Sequence, residues 1–490
     1  MSQSSESLPP ELPSDGSPQL LRALGVGTAS AVVVGNVIGS GIFVKPGRIA
    51  ADVGDFPTII SAWILAGAIC LLGAFCFSEL AAMLPRAGGL YVYLKEAYGN
   101  AIAFLFGWSQ FVFGTPASIG ALAVAFVGAV GGAMGMKSVP TVVSIFSASV
   151  LIAAMAWINV RGVIWGGRVQ VVTTVIKAGF LAVISLLPFA MTMGGEPGVS
   201  ALAFESTTTP ISPDWSTQYA AALLAVMWAY NGWHAVTPIA EEVHHPQRNV
   251  PLSMFIGMGI LVVLYVGANC AYHGVLTMEE MVAAGETVPQ AMMHKLFSGY
   301  GEKWANWGVA AISGVIMCSL FGGVNSNFLE GPRISFAMGR DGAFFRSLGR
   351  VHADYRTPAV SIVVEAVMAI GLVVVSGVLV ENLKMLEGKS IFEILTNYVT
   401  FSASIFYCLA VAAVIVLRIR HPHWDRPFRT WGYPVVPIVY LLFYAWFLYY
   451  VFVGQPFEGV MGLLLTAIGL PVYGLWCWYE RDRSSTSSLQ

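Results

Sequence analysis

Long apolar segments, separated by short polar connections, recur from one end of this sequence to the other. Each is about 20 residues long, which is the length that an α-helix needs to cross the hydrocarbon core of a bilayer. The pattern predicts twelve such helices, numbered here as spans 1 to 12. In chain order they cover 24–50, 58–84, 101–134, 139–160, 169–189, 218–243, 251–272, 304–335, 358–380, 391–417, 435–453 and 459–479. The stretch 278–298 is too polar to span and is predicted as a short helical loop packed over a vestibule.

Span 1 contains a run that weakens a helix at its centre. From Gly35 to Phe43 the chain reads Gly-Asn-Val-Ile-Gly-Ser-Gly-Ile-Phe. Glycine inside a helix costs about 1 kcal/mol relative to alanine, and opened backbone is tolerated in a membrane only where it lines a cavity or touches a ligand. One interpretation is therefore a broken helix that holds a small polar molecule. The other is a packing face of small residues, since Gly35 and Gly39 form a G-x-x-x-G pattern.

Span 6 carries a second candidate break. It reads Trp-Ala-Tyr-Asn-Gly-Trp-His from Trp228 to His234, and Pro238 follows. The two breaks lie five spans apart, and interrupted helices at matching positions of two halves are typical of secondary transporters built from inverted repeats. The N-terminus of a half-helix can bind a carboxylate, and carbonyls at the C-terminus of another can bind an ammonium group. The pair is therefore suited to a zwitterion.

Lys177 is a full positive charge inside span 5. A lysine at the bilayer centre costs about 2.5–3.5 kcal/mol on insertion scales, so it normally faces a cavity or a partner. Thr173 and Thr174 lie one turn earlier on the same helix face. Lys177 is interpreted as a coupling or gating residue, either a fixed ammonium in place of a coupling cation or a proton carrier. The alternative is a structural lysine that only bonds carbonyls of a neighbouring helix.

Four further polar residues are weaker candidates. Glu79, near the cytosolic end of span 2, is predicted to cap or pair there, and Glu365 in span 9 has no partner visible in the sequence. Asn325 and Asn327 in span 8 either line the cavity or make hydrogen bonds between helices, which is the commoner use of such residues.

Composition confirms the class that the apolar pattern indicates. Hydrophobic residues make up 56% of the chain and charged residues 11%, whereas a soluble protein carries about 25% charged residues. The net charge of −2 comes without a basic domain, which excludes nucleic acid as a partner. No acid–base or nucleophile constellation indicates an enzyme, no cofactor or metal site is predicted, and the two adjacent histidines at 244–245 lack further ligands. The six cysteines lie within apolar spans, so no disulfide is predicted.

Basic residues predict the orientation. With the N-terminus inside, the inner segments hold 17 Lys and Arg residues and the outer segments hold 7. Lys and Arg concentrate on the cytoplasmic side of membrane proteins, so both termini are predicted in the cytosol. The predicted domains are a disordered cytosolic tail over 1–20, five-helix repeats over 21–190 and 217–418, two C-terminal helices over 434–480 and a cytosolic tail over 481–490.

The motifs together resemble a known family. Several runs are similar to the amino acid–polyamine–organocation superfamily. They are Val-Gly-Asn-Val-Ile-Gly-Ser-Gly-Ile-Phe in span 1, Trp-Ala-Tyr-Asn-Gly-Trp in span 6, and the Glu-Glu-Val and Pro-Gln-Arg-Asn-Val-Pro that follow it. Within it, the chain most resembles the L-type amino acid transporter branch. Phe-Ser-Glu-Leu from Phe77, Arg-Val-Gln from Arg168 and Arg-Pro-Phe-Arg from Arg426 are also similar to that branch. The resemblance covers the chain from Leu21 to about Tyr479.

The resemblance implies an all-α polytopic membrane protein with a LeuT-type 5+5 inverted repeat, two additional transmembrane helices and twelve in total. Helices 1 and 6 would be unwound at mid-membrane. It implies that the substrate carboxylate meets the backbone at Val37, Ser40 and Gly41, and that the amino group meets Trp228, Ala229 and Asn231. Trp228 would act as a gate, and Lys177 would stand in place of a sodium ion.

The function expected from this resemblance is sodium-independent exchange of neutral L-amino acids by alternating access. One alternative is a proton-coupled amino acid symporter that uses Lys177, and another is an amino acid sensor that does not transport. The loop at 135–138 has no cysteine, so no disulfide-linked heavy subunit is predicted. The expected setting is a plasma membrane, with a bacterial inner membrane as the specific hypothesis.

Overall fold

The computed structural model describes residues 18–136, 138–200, 204, 215–382, 399–454 and 456–487. These residues form helices and connecting turns with no β-strand, apart from an isolated bridge between Leu24 and Val243. Eleven of the described helical segments are long and apolar enough to cross a membrane. The all-helical polytopic class predicted from the apolar pattern is confirmed.

The described helices are named here in chain order. In the first half they are α1 (Val26–Val37), α2 (Gly41–Val44), α3 (Pro46–Val53), α4 (Phe56–Met83), α5 (Leu90–Tyr98), α6 (Asn100–Ser109), a π-helical turn (Gln110–Gly114), α7 (Thr115–Ala133), α8 (Thr141–Val160) and α9 (Val163–Met193). In the second half they are α10 (Trp215–Tyr230), a 3-10 turn (Ala240–Glu242), α11 (Pro246–Val275), α12 (Met278–Ala284), a 3-10 turn (Gly285–Thr287), α13 (Val288–Ser298), α14 (Glu302–Arg340), α15 (Ala359–Asn382), α16 (Val399–Arg420), α17 (Val435–Gly454), α18 (Pro456–Ala467) and α19 (Gly469–Ser487).

Spans 1 and 6 differ from the other predicted spans. Span 1 is divided between α1 and α2, and together they count as one candidate membrane crossing over Val26–Val44. In span 6 the helix ends at Tyr230, and its apolar part, Gln218–Tyr230, is shorter than the eleven candidate crossings. The first residues of span 10, 391–398, and most of the predicted N-terminal tail, 1–17, lie outside the described residues.

Small residues let α1 pack closely in the centre of the bundle. At Gly35 a Cβ atom would lie 2.1 Å from Thr174 Oγ1 on α9. At Gly257 on α11 it would lie 2.5 Å from Val33 of α1. Such contacts allow two membrane helices to approach at backbone distance. Helix α1 is therefore enclosed by α9 and α11, and eight of its twelve residues are buried.

Ion pairs join the helix ends that the basic residues predict to face the cytosol. Glu79 of α4 accepts hydrogen bonds from Arg418 at 2.8 and 2.6 Å and from the amide of Thr430 at 2.6 Å. The prediction that Glu79 caps or pairs at the end of its helix is confirmed. Arg333 of α14 makes a second, fully buried pair with Glu242, which follows the end of α10.

The polar stretch between α11 and α14 forms two short helices, α12 and α13. A capping box starts α12, because Thr277 and Glu280 each bond the other's backbone N–H. Partial burial opposes ionisation of Glu280, but hydrogen bonds from Lys295 and Thr277 outweigh it and lower the pKa of the carboxyl. The pair of helices packs on α3, where a Cβ at Gly47 would lie 2.1 Å from the carbonyl oxygen of Gly285. The predicted helical loop is therefore present, and it contacts the helix that continues from α2.

Candidate functional site

The backbone opens between α1 and α2. Helix α1 ends at Val37, the backbone of Ile38 leaves the helical region at φ −70° and ψ 77°, and α2 begins at Gly41. Within the described part of the chain, the N–H of Gly39 donates to the Val37 carbonyl at 2.6 Å, and helical hydrogen bonds start again with the N–H groups of Phe43 and Val44, which both donate to Ser40. The break therefore presents carbonyls from the end of α1 and N–H groups from the start of α2.

Lys177 of α9 lies behind this break. Its side chain is completely buried, and its ammonium donates hydrogen bonds to the carbonyls of Gly35 and of Ile38, the latter at 2.7 Å. Ser319 of α14 donates to the same Ile38 oxygen at 2.7 Å. Carbonyls at the C-terminus of a helix carry partial negative charge, so a cation is stabilised there. Lys177 thus supplies a positive charge at the C-terminal end of α1, where these carbonyls face the break.

A second opening follows α10. The helix ends at Tyr230, and Gly232 adopts φ +102°, a conformation that side chains disfavour. The carbonyl of Gly232 accepts a hydrogen bond from Asn36 Nδ2 at 3.3 Å, so the two openings touch. Tyr265 of α11 joins them again, because its hydroxyl lies 2.7 Å from the Val37 carbonyl and 3.2 Å from the Ala229 carbonyl.

Gly41 is required where the two breaks meet. A Cβ at this position would lie 2.7 Å from both the Cα and the Cβ of Ala229 and 3.3 Å from the Trp228 ring. At Gly39 a Cβ would meet nothing closer than 3.9 Å, and that neighbour is local backbone. The sequence left a packing role and a site role open for the glycines of this run. Gly35 has the first role, packed on α9, and Gly41 brings the start of α2 against α10.

A cavity of about 180 Å³ lies between the two breaks. Its wall includes all six residues that the family resemblance implied as substrate-binding: Val37, Ser40, Gly41, Trp228, Ala229 and Asn231. Lys177 is not among its described lining residues and contacts the α1 carbonyls behind it. The rest of the wall comes from α5, from α6, the π-helical turn and α7, from α14, from α16 and from the turns after α10: Leu90, Phe106, Gln110, Gly114, Thr115, Ser118, Ala121, Leu122, Asn327, Glu330, Ile334, Ala403, Tyr407, Gly232, His234 and Pro238, together with Asn36 and Gly39.

The Trp228 ring also contacts a charged residue beside the break. The ammonium of Lys45, which links α2 to α3, lies 4.8 Å from the ring centroid. A cation over a tryptophan face is attracted by the ring quadrupole. This contact ties the helix that follows the first break to the aromatic side chain at the second.

The sequence did not predict a polar cluster in this cavity that is formed by Asn36, His234, Glu330 and Tyr407. Glu330 on α14 lies 3.3 Å from Asn36 Nδ2 and 3.5 Å from His234 Nδ1. The other ring nitrogen of His234 lies 2.7 Å from the Tyr407 hydroxyl. A glutamate in an apolar span is itself a signal of function, so Glu330 was visible in the sequence. Its partners were not, because they come from α1, the turn after α10 and α16.

The two asparagines of α14 have different roles. Asn325 is buried between helices, where it accepts from Asn159 and donates to Gln170, each at 3.0 Å. Asn327 lines the cavity and donates to the carbonyl of Gly323 in its own helix. In the described residues no group of three or more His, Cys, Asp or Glu side chains is arranged to hold a metal ion.

Comparison with known proteins finds relatives that match this chain over most of its length. A family model described as amino acid permease matches residues 24–468. The chain is 31% identical to the serine/threonine exchanger SteT of Bacillus subtilis (strain 168), over 93% of this chain and 96% of the relative. It is 29% identical to the large neutral amino acids transporter small subunit 2 of Homo sapiens, over 95% and 82%. It is 27% identical to the Asc-type amino acid transporter 1 of Mus musculus, over 94% and 82%.

Proposed function

The chain belongs to the amino acid permease family, in the L-type branch of the amino acid–polyamine–organocation superfamily, and from this premise we propose that it exchanges neutral L-amino acids independently of sodium by alternating access. Its relatives carry amino acids across membranes, so the chain is a transport protein and not an enzyme. The observation that carries the proposal is one cavity lined by both helix breaks. Exchange is also the activity in the name of the Bacillus relative.

The substrate is placed by the polarity of the two breaks. Its carboxylate binds the N–H groups at Ser40 and Gly41, where the start of α2 offers partial positive charge. Its ammonium binds near Trp228, Ala229 and Asn231, where α10 ends and backbone carbonyls become available. Val37 contributes cavity wall rather than an N–H donor, because it is the last residue of α1 and its N–H group still belongs to that helix.

Lys177 supports the absence of sodium coupling. An ammonium that already bonds two carbonyls of α1 leaves these oxygens less able to coordinate a free cation. The positive charge beside the break then belongs to the protein itself, so transport needs no sodium gradient.

The proposed architecture has two repeats, 21–190 and 217–418. Spans 1 and 6 correspond in these repeats, and both are unwound at mid-membrane. Two more helices over 434–480 bring the total to twelve. Both termini lie in the cytosol, and the protein works in a bacterial inner membrane without a disulfide-linked heavy subunit. The break between α1 and α2 and the end of α10 at Tyr230 lie five predicted spans apart, which supports this symmetry.

Proton-coupled symport through Lys177 is the second candidate. The observation in its favour is that both hydrogen bonds of the buried ammonium go to neutral carbonyls. An ammonium held by neutral acceptors alone can release its proton more easily than one held by a carboxylate.

Purified protein in liposomes separates these functions. Exchange predicts that unlabelled amino acid inside the vesicles strongly stimulates uptake of labelled amino acid, with or without sodium outside. Proton symport predicts accumulation in empty vesicles under an imposed pH gradient. Binding without any uptake in either condition would contradict both and indicate a sensor.

A further inference from the structure

Among the described residues that line the cavity, Glu330 is the one acidic residue and none is a lysine or an arginine. The carboxyl sits on α14, opposite the breaks in the first and sixth predicted spans, and 15% of its side chain is exposed. A carboxylate removed from water needs hydrogen-bond donors, because an unsatisfied buried acceptor is costly.

The described contacts leave that need largely unmet. Asn36 Nδ2 lies 3.3 Å from one oxygen and His234 Nδ1 lies 3.5 Å from the other. Hydrogen bonds to a carboxylate are normally shorter, about 2.7–2.9 Å for a charged nitrogen donor. A carboxylate has about four acceptor positions, so two long contacts leave spare capacity that faces the cavity.

The position of this spare acceptor relative to the breaks limits what can reach it. Asn36 bridges the Gly232 carbonyl and the Glu330 carboxylate, each at 3.3 Å, so the carboxylate is at most two hydrogen-bond lengths from the opened backbone. A substrate whose α-carbon lies at the breaks therefore brings the first atoms of its side chain close to Glu330.

We propose that Glu330 is a specificity-determining residue that accepts a hydrogen bond from the substrate side chain, and that the preferred substrates are neutral amino acids with a short hydroxyl or carboxamide side chain. This inference rests on the proposed transport function and names the substrate class of the same site. An aliphatic side chain would leave the carboxylate unpaired, and sites built to bond a polar group discriminate strongly against analogues that lack it.

The test is a competition panel in proteoliposomes with serine, threonine and asparagine against alanine, valine and leucine, with lysine as a cationic probe. In the wild type, the hydroxyl and amide substrates should compete best. Glu330→Ala should raise the KM of serine roughly 10- to 100-fold, the range for a hydrogen bond to a charged group, and should leave the KM of alanine nearly unchanged. In Glu330→Gln, which keeps one side-chain acceptor, the KM of serine should lie between the wild-type value and that of Glu330→Ala.

Glu365→Gln is the matched control, because Glu365 is a fully buried carboxyl on α15 that does not line the cavity. It should leave the ratio of serine to alanine KM unchanged. An equal loss for serine and alanine in Glu330→Gln would place Glu330 on the common α-amino group and overturn the proposal, as would a wild-type preference for leucine or lysine.

Binding to the protein in detergent keeps this test separate from the transport test. If no amino acid is exchanged but serine binds more tightly than alanine, and only in the presence of Glu330, the transport function fails and the specificity proposal stands. If exchange works and the variant keeps the wild-type selectivity, the specificity proposal alone fails. Monodisperse elution of each variant by size exclusion shows that it is folded.

Discussion

The ammonium of Lys177 lies 2.7 Å from the carbonyl oxygen of Ile38, the residue at which α1 stops being helical. Lys177 and Ile38 are 139 positions apart, so the contact ties the fifth predicted span to the break in the first. A buried positive charge at the C-terminus of a half-helix stabilises the opened backbone. Lys177 therefore holds the end of α1 in its opened conformation.

Lys177→Met keeps much of the side-chain volume and removes the charge. Exchange should fall to background, because the opened carbonyls of α1 lose the ammonium that stabilises them. The dissociation constant for substrate should rise less than about tenfold, or about 1.4 kcal/mol, since Lys177 does not line the cavity. Counterflow and equilibrium binding measure the two effects separately.

Lys295→Met is the control for that variant. Lys295 pairs with Glu280 on the surface at 2.6 Å, so both exchange and binding should stay normal. Wild-type turnover in Lys177→Met would return Lys177 to a purely structural role.

Gly41→Ala and Gly39→Ala form a matched pair within one motif. The new methyl group at 41 would overlap Ala229, with centres 2.7 Å apart, whereas the one at 39 meets nothing closer than 3.9 Å. Overpacking of this kind costs about 1–3 kcal/mol, and here it also pushes the start of α2 away from α10. Substrate affinity in Gly41→Ala should fall at least about tenfold, and the Gly39 variant should bind nearly normally. Equal binding by both variants would remove the close approach of α2 and α10 from the site.

Trp228→Ala should weaken retention of substrate. The ring forms cavity wall at the second break and lies under the Lys45 ammonium. Loss of a cation–π contact is worth about 0.5–1 kcal/mol, which alone raises KM roughly two- to fivefold. Initial rates of exchange measure this. Trp307→Ala, with 65% of that residue exposed, is the control, and an unchanged KM in Trp228→Ala would make Trp228 a packing residue.

The apolar segments could be predicted because their length and composition are local properties of the sequence. The run around Gly41 could be singled out for the same reason, since glycine and serine weaken a helix wherever they occur. The separate roles of Gly35 and Gly41 could not be assigned, because the neighbours that decide them, Thr174 and Ala229, come from other helices. Interpretation of one motif as either packing or site was too exclusive, since Gly35 packs on α9 while Gly41 lies at the break beside Ala229.

Sequence reasoning missed the polar cluster around Glu330 in the cavity. His234 and Tyr407 are 173 positions apart, and Glu330 meets His234 only because α14 crosses beside the turn that follows α10. The π-helical turn that carries Gln110 had no recognisable signal either. Such clusters depend on how three or more helices pack, which one sequence does not reveal.

Arg333→Met should destabilise the protein more than any surface charge change. Arg333 and Glu242 are almost completely buried, and their two hydrogen bonds measure 3.1 and 3.0 Å. Breaking one side of a buried pair costs about 3–5 kcal/mol, because the remaining charge is left uncompensated. The double variant Arg333→Met with Glu242→Gln should recover much of this loss in a thermal unfolding assay. By contrast, Arg346→Met removes the exposed pair with Glu480 and should cost at most about 1 kcal/mol; a similar shift for both single variants would mean that the buried pair is not the contact that holds these helix ends together.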